Sequence, residues 1–363
     1  GNESVNPTAH SAANGSLRVF FIGSGHVAAP ALTTLFASSV IDVCGVATQA
    51  DRPAGRKRKP RPTAISEAAA HHGREVLKPA SVNAPEFLRE LTDLSPDIVL
   101  VFSFGQILRQ PLLDLAPFGC LNVHTSLLPR HRGAAPIAAA ILGGDKETGV
   151  SFMRMERGLD TGPVYEMHSL PLDQTETAES LTEELAELAA EHIVSVLQRI
   201  CRGELTAEPQ PEEGATYAPQ LKKADGRMDW RKHARHLERE VRAYNPWPKS
   251  WFILPDGKRE RRIQVLRAAT TTVAPSQHTT TSPPTPGIVC QAEQGDLLVA
   301  CGHGTALRLT TLVPEGKQAM DADAFLRGSQ LQPGHPLPLP DSTTASPATR
   351  PSAGNANPHH HHE

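Results

Sequence analysis

The stretch "LRVFFIGSGHVAA", residues 17–29, joins an apolar run to a glycine turn and then to helix-forming residues. A run that is apolar on both sides suits a strand buried on both faces of a parallel sheet. The unit recurs along the chain. "IDVCGVATQ", "DIVLVFSFG", "LNVH" and "GVSFMRM" are further runs, and "HVAAPALTTLFAS", "TAISEAAAHHG" and "APEFLRELTDL" carry helical spacing between them. This alternation predicts a doubly wound α/β domain over residues 17–205. It closes on a long amphipathic helix in which Leu181, Leu185, Leu188, Val196, Leu197 and Ile200 share one face, ended by Gly203.

Beyond the helix, residues 206–220 are polar and proline-rich and read as a linker. The pattern then changes to short strand-like runs, "RMDW", "SWFIL", "RRIQVLRA", "GIVCQAE", "DLLVACG" and "TALRLTTLV", which predict a small β-barrel over 221–331. Within it, 273–286 is low-complexity and reads as a flexible insert. Residues 1–16 and the proline-rich stretch 332–363, ending in HHHHE, are expected to be disordered ends.

Composition narrows the class. A chain of 363 residues can bury more than one core, which fits two domains. A formal charge of −3 leaves little net field, so an anionic partner would need a local basic patch. The five cysteines are scattered without metal-ligand spacing, which predicts a reducing compartment and no metal. Residues 1–16 lack the apolar run of a signal peptide and the arginines of a mitochondrial presequence, and Val5 stands where a myristoylation motif wants Ser or Thr. With no apolar run long enough to span a bilayer, a cytoplasmic protein is expected.

Three constellations could carry chemistry. Gly23, Gly25 and Ala28 spell G-x-G-x-x-A after a strand, with Asp51 near the end of the next one, as in a dinucleotide-binding fold. That suggests an NAD-linked oxidoreductase, yet any doubly wound domain needs small residues at this turn. "ADRPAGRKRKPRP", residues 50–62, packs Arg52, Arg56, Lys57, Arg58, Lys59 and Arg61 among prolines, as a phosphate-contacting loop would; a solvated charged loop is the plainer alternative.

The third constellation is "CLNVHTSLLPRHRGAAPI", residues 120–137. Positions i and i+2 of a strand face the same side, so Asn122 and His124 can aim at one spot. An amide donor for a developing oxyanion and an imidazole for proton movement suit acyl transfer. "ERGLDTGPV" adds Asp160 in a glycine-bracketed loop, where a carboxylate could orient the imidazole. The alternative is an ordinary strand end and a turn aspartate.

"NVHTSLLPRHRGAAPI" and "GVSFMRMERGLDTGPV" resemble the signature of the methionyl-tRNA formyltransferase family, and "RPAGRKRKPRP", "VFSFGQIL", "YAPQLKKADGRMDW" and "RAYNPWPKSWF" look like its further blocks in the same order. The resemblance spans Leu17 to Leu331. It implies a Rossmann-like formyltransferase domain followed by an OB-like barrel, 10-formyltetrahydrofolate as formyl donor, initiator methionyl-tRNA as acceptor, and a monomer. By motif position it assigns catalysis to Asn122, His124 and Asp160. It assigns folate binding to Phe104, Gly105, Gln106, Ile107, Ser126, Leu127, Leu128 and Pro129. It places tRNA contacts at Arg52, Arg56, Lys57, Arg58 and Lys59, with Lys222, Lys223, Arg227 and Arg242 as candidates in the second domain. Thr125 departs from the Gly or Pro usual in relatives. The same core serves sugar-nucleotide formyltransferases, which makes an amino-sugar acceptor the nearest alternative.

Overall fold

The computed structural model describes residues 15–54, 59–271 and 282–341. In the N-terminal half the strands are β1 (Leu17–Gly23), β2 (Ile41–Ala47), β3 (Arg52–Ala54), β4 (Lys59–Arg61), β5 (Ile98–Phe102), β6 (Cys120–His124), β7 (Arg132–Gly133), β8 (Glu147–Arg154) and β9 (Val164–Pro171). Among them lie α1 (Ala29–Ala37), α2 (Ala64–His71), α3 (Pro85–Leu94), α4 (Gln110–Leu113) and α5 (Pro136–Leu142), and α6 (Ala178–Cys201) follows. The main sheet runs β2-β1-β5-β6-β8-β9.

The apolar runs become strands for the reason their composition implies. Phe20, Ile22, Val99 and Val101 are buried in one core cluster, and each such side chain contributes about 1.5–3 kcal/mol by leaving water. The sheet departs from the all-parallel expectation at one side. β1, β2, β5 and β6 are parallel, but β8 runs antiparallel to β6, and β9 antiparallel to β8. Residues Thr148–Met153 of β8 are buried throughout, so the run looks like a parallel strand in sequence, although its direction is reversed. Strand β9 was not among the predicted runs. It is an edge strand with alternating exposure, too polar to stand out.

Two compact units result: residues up to Gly133 with Glu147–Pro171 and Thr182–Tyr217, and Ala134–Lys146 with Leu172–Leu181 and everything from Ala218. The division is therefore not a single cut at 206–220. Helix α5 goes with the second unit, where it packs on α7 (Ala234–Ala243) and where the Leu172 N–H donates to the Lys146 carbonyl. The predicted apolar face of α6 is buried except at Leu188.

The two-residue strand β10 (Tyr217–Ala218) falls at the division, and the second unit also holds β11 (Ser250–Asp256), β12 (Arg259–Thr271), β13 (Val289–Glu293), β14 (Asp296–Ala300), β15 (Ala306–Pro314), β16 (Met320–Asp321) and α8 (Ala322–Arg327). The strands β11-β12-β15-β14-β13 form an antiparallel sheet, with β16 added beside β15. Its path does not close from β13 back to β11 among the described residues, so the sheet is a half-barrel. Trp230 and Phe252 meet edge to face at 5.7 Å in its core. Residues 332–341, expected to belong to a disordered end, are ordered against the sheet, and 342–363 lie outside the described residues. Leu337 is buried in this core, and its N–H donates to the Gly287 carbonyl while His335 accepts from Val289 N–H. Most of the predicted insert lies outside the described residues.

Candidate active site

The strand order reverses between β1 and β5, and the carboxyl ends of β5 and β6 lie next to that switch, where open α/β sheets bind ligands. Asn122 and His124 end β6, opposite Met153 and Ser151 of β8. Within β6 only Asn122 keeps partial exposure; its strand neighbours are buried.

His124 is held from both ring nitrogens. Nε2 lies 2.8 Å from the His131 carbonyl, which can only accept, so the nitrogen donates and the tautomer is fixed. Nδ1 faces Asp160 Oδ2 at 3.7 Å, close enough for charge pairing but longer than a hydrogen bond. The same Oδ2 accepts from the Gly133 N–H at 2.8 Å. Asp160 sits at φ 57° and His131 also at φ 57°, left-handed conformations that the surroundings must hold in place. Both side chains of the pair are largely shielded, at 7% and 11% exposure, which strengthens any charge interaction between them.

A residue that the sequence reading passed over completes this network. Gln210, within the segment taken as a linker, donates Nε2–H to the Asp160 carbonyl at 2.8 Å and to the Gly162 carbonyl at 2.7 Å. Its Oε1 accepts from Arg132 Nε and Nη2 at 3.1 and 3.0 Å. No spacing rule links residue 210 to residue 160. The available signal was an amide side chain between two prolines in a segment otherwise free of chemistry.

The residues assigned to folate divide into two kinds. The β5–β6 register, Phe102 opposite Val123, sets the loop 103–107 beside the end of β6. In that loop Gln106 accepts from Val82 N–H at 3.0 Å, and Asn83 Nδ2 donates to the Ile107 carbonyl at 2.7 Å, so these groups shape the loop. Gly105 packs under Gln49, and Phe104 and Ile107 keep their side chains partly or mostly exposed. Ser126 and Leu128 are buried. Ser126 Oγ donates to the Arg130 carbonyl at 2.6 Å, and the Leu128 N–H donates to Ser151 Oγ at 3.1 Å. Those two build the turn from inside, while Leu127 and Pro129 remain partly exposed on it.

The glycine turn after β1 is closed by its own protein. Ser24 and Gly25 N–H both donate to the Ser103 carbonyl, at 2.9 and 3.3 Å, and these are the amides a pyrophosphate would need. Asp51 pairs with Lys78 at 2.7 Å instead of standing ready for a ribose. The NAD-linked alternative loses both of its recognition elements.

The basic stretch becomes a two-stranded hairpin, β3 with β4, in which Arg52 opposes Arg61 and Ala54 opposes Lys59. Lys59 and Arg61 are exposed; Arg56, Lys57 and Arg58 lie outside the described residues. In the second unit Lys222 and Lys223 are exposed, and Arg227 lies 5.6 Å over the Trp251 ring. Arg242 does not suit a phosphate contact. It is buried, grips Glu238 at 2.6 Å and donates to the Glu176 carbonyl.

Among the described residues one cluster, Glu166, His168 and His192, brings metal-ligating atoms within 4.8 Å of one another. Arg199 already clamps both Glu166 oxygens at 2.7 and 2.9 Å, and the two imidazoles stack with centroids 3.4 Å apart, so their lone pairs do not converge on a cation. The arrangement is an ion pair with a ring stack. The Arg199 guanidinium, then His168, hold Glu166 down to about 2 against the opposing effect of burial.

The formyl transferase family profile matches residues 17–197, and the profile of the family's C-terminal domain matches 220–330. The methionyl-tRNA formyltransferase of Citrifermentans bemidjiense is 38% identical over 327 residues, covering 90% of this chain and 98% of that one. The enzyme of the same name from Methylococcus capsulatus is 42% identical over 315 residues, 87% and 98% of the two chains. Among solved structures, WlaRD, described as a sugar 3N-formyl transferase with dTDP and 5-N-formyl-THF, superposes with a TM-score of 0.56 at 14% identity over 83% of this chain and 99% of that one. HypX of Aquifex aeolicus in complex with tetrahydrofolic acid gives 0.53 at 16% identity, over 86% and 47%. These structural likenesses establish the fold. The sequence relatives and the two family profiles show that this chain belongs to the methionyl-tRNA formyltransferase family.

Proposed function

We propose that this protein transfers the formyl group of 10-formyltetrahydrofolate to the amino group of methionine on initiator methionyl-tRNA, acting as a cytoplasmic monomer. The observation that carries the reading is the His124–Asp160 pair, fastened by the Gly133 N–H at the carboxyl end of β6, in a chain 38–42% identical to relatives of that name. The residues suit a formyl donor. Partly exposed Asn122 has amide N–H groups for the formyl oxygen, and the 103–107 loop has backbone groups for a pterin edge.

In the reaction a bond forms from the methionyl nitrogen to the formyl carbon, and the bond from that carbon to N10 breaks. Asn122 donates to the formyl oxygen as negative charge develops there, the kind of contact that typically matters most in acyl transfer. Because His124 Nε2–H is held by the His131 carbonyl, a proton entering the ring arrives at Nδ1, facing Asp160. Asp160 and His124 thereby carry the proton that the attacking amine releases and N10 receives.

The basic stretch 50–62, with Arg52, Arg56, Lys57, Arg58 and Lys59, is the proposed contact with the tRNA acceptor arm. The C-terminal half-barrel is read as OB-like, with Lys222, Lys223 and Arg227 along the backbone path. Among the described residues no helix is long and apolar enough to cross a membrane.

The test is formylation of three acceptors, each with 10-formyltetrahydrofolate: methionyl initiator tRNA, elongator methionyl-tRNA and an amino-sugar nucleotide. Product confined to initiator tRNA is the expected result. A formylated sugar with untouched tRNA would overturn the acceptor while leaving the catalytic assignment in place.

A further inference from the structure

Resting on the formyl-transfer reading of this site, we propose that Gln210 is a positioning residue for that reaction, and that segment 210–216 buttresses the catalytic pair. A loop carrying two residues at positive φ, Gly158 at 110° and Asp160 at 57°, has no regular hydrogen-bond ladder to fix it. Gln210 supplies the missing bonds. Its single amide nitrogen reaches two carbonyls two residues apart, those of Asp160 and Gly162, and its oxygen is locked by the Arg132 guanidinium. Arg132 adjoins Gly133, whose N–H holds the Asp160 carboxylate. Asp160 is thus held by its main chain through Gln210 and by its side chain through Gly133, both tied to the same two-residue strand β7.

The other catalytic partner is held from the same segment. Thr216 Oγ1 accepts from the His131 N–H at 2.8 Å, and the Thr216 carbonyl accepts from the Arg132 N–H at 2.9 Å. His131 in turn offers the carbonyl that fixes the His124 tautomer. Gln210 and Thr216, six residues apart, therefore set Asp160 and His124 respectively. Gln210 also lies 3.7 Å from the sulfur of Met153, which stands opposite Asn122 in the sheet. A segment that turns at Gly214, φ 82°, thereby fixes a separation of 3.7 Å between the two groups that handle the proton.

The experiment compares Gln210→Glu, Gln210→Ala and wild type for kcat and KM of formyl transfer, each also in an Asp160→Asn background. Amide hydrogen exchange is followed over residues 156–163. Glu keeps the length and the Arg132 partner but presents only acceptors to the two carbonyls. The expected result is a kcat about 10–100-fold lower for both variants with KM changed less than about threefold, since a misplacement of an ångström costs on this scale. In the Asp160→Asn background the same substitutions are expected to add less than about twofold, because they act through the residue already removed. Loop exchange is expected to rise in both variants while the melting temperature stays near wild type. A wild-type rate and wild-type exchange in Gln210→Glu would overturn the proposal, as would full additivity with Asp160→Asn. If the wild-type protein moves no formyl group, the reaction reading fails instead, and the exchange data still decide whether Gln210 holds the loop.

Discussion

Two turns leave the same end of the main sheet and differ in what they do with their polar groups. The turn after β1 has the glycine spacing of a phosphate cradle, yet the Ser103 carbonyl accepts from both of its amides, and Ser24 Oγ is tied to Thr48 Oγ1 and accepts from the Gln49 N–H. The turn after β6 has no such signature, and the strand that feeds it keeps the Asn122 amide partly exposed beside a pre-aligned imidazole and carboxylate. The first turn satisfies itself; the second is arranged around something absent from the chain. Glycine at the first turn therefore answers a packing demand. A Cβ at Gly23 would run into the Phe102 carbonyl oxygen, and one at Gly25 into Ser103 Oγ.

The largest effects should fall on the second turn. His124→Ala and Asp160→Asn should each lower kcat by about 10²–10⁴-fold while the folate donor still binds, which steady-state kinetics and equilibrium binding can check. Near-normal turnover in either variant would put the two turns on the same footing. At the first turn the expected loss is stability. Gly23→Ala should cost about 1–3 kcal/mol in a denaturant midpoint measurement, because a backbone carbonyl in a buried strand must move. Gly25→Ala should cost less and recover when combined with Ser103→Gly, which removes the obstructing hydroxyl and suits the φ of 54° at that position. A large loss of donor affinity in Gly25→Ala with unchanged stability would mean that the first turn faces a ligand after all.

The smallest effect belongs to a pair remote from both turns. Glu166 is held at about 2, below its usual 4.5, chiefly by the hydrogen bonds from Arg199. A carboxylate with a depressed folded-state value stabilises the fold above its ordinary value and loses that contribution as pH falls through the depressed one. The stability deficit of Arg199→Ala should therefore be full at neutral pH and fade between about pH 4.5 and 2, with kcat unaffected. A deficit independent of pH would show that Arg199 acts through packing of its stem instead.

The candidates at the second turn stand out in the sequence because their pattern is local. Asn122 and His124 are two apart on a strand and Asp160 is bracketed by glycines, a spacing equally open to a plain strand end and turn aspartate, and it is the family resemblance that assigns them roles. What escaped was set by contacts distant in sequence. Strand β8 is buried on both faces, and burial alone does not tell its direction; β9 alternates too weakly to register; Gln210 meets Asp160 across fifty residues. The stretch from 332 reads as a tail because it is rich in proline and poor in apolar residues, while Leu337 seats residues 332–341 against the core. The division into units was hidden for a similar reason, since α5 is claimed by a helix about a hundred residues later.

Strand β9 closes the sheet at one side, and an outer strand is an open template on which another polypeptide can add. Here the template is guarded along its length. Val164 is already bridged to Glu208, Glu166 carries a charge locked by Arg199, and Pro171 ends the strand with a residue that has no N–H to offer. A newly made or partly unfolded copy would meet a charged, capped border at this edge, which disfavours adding a further strand there.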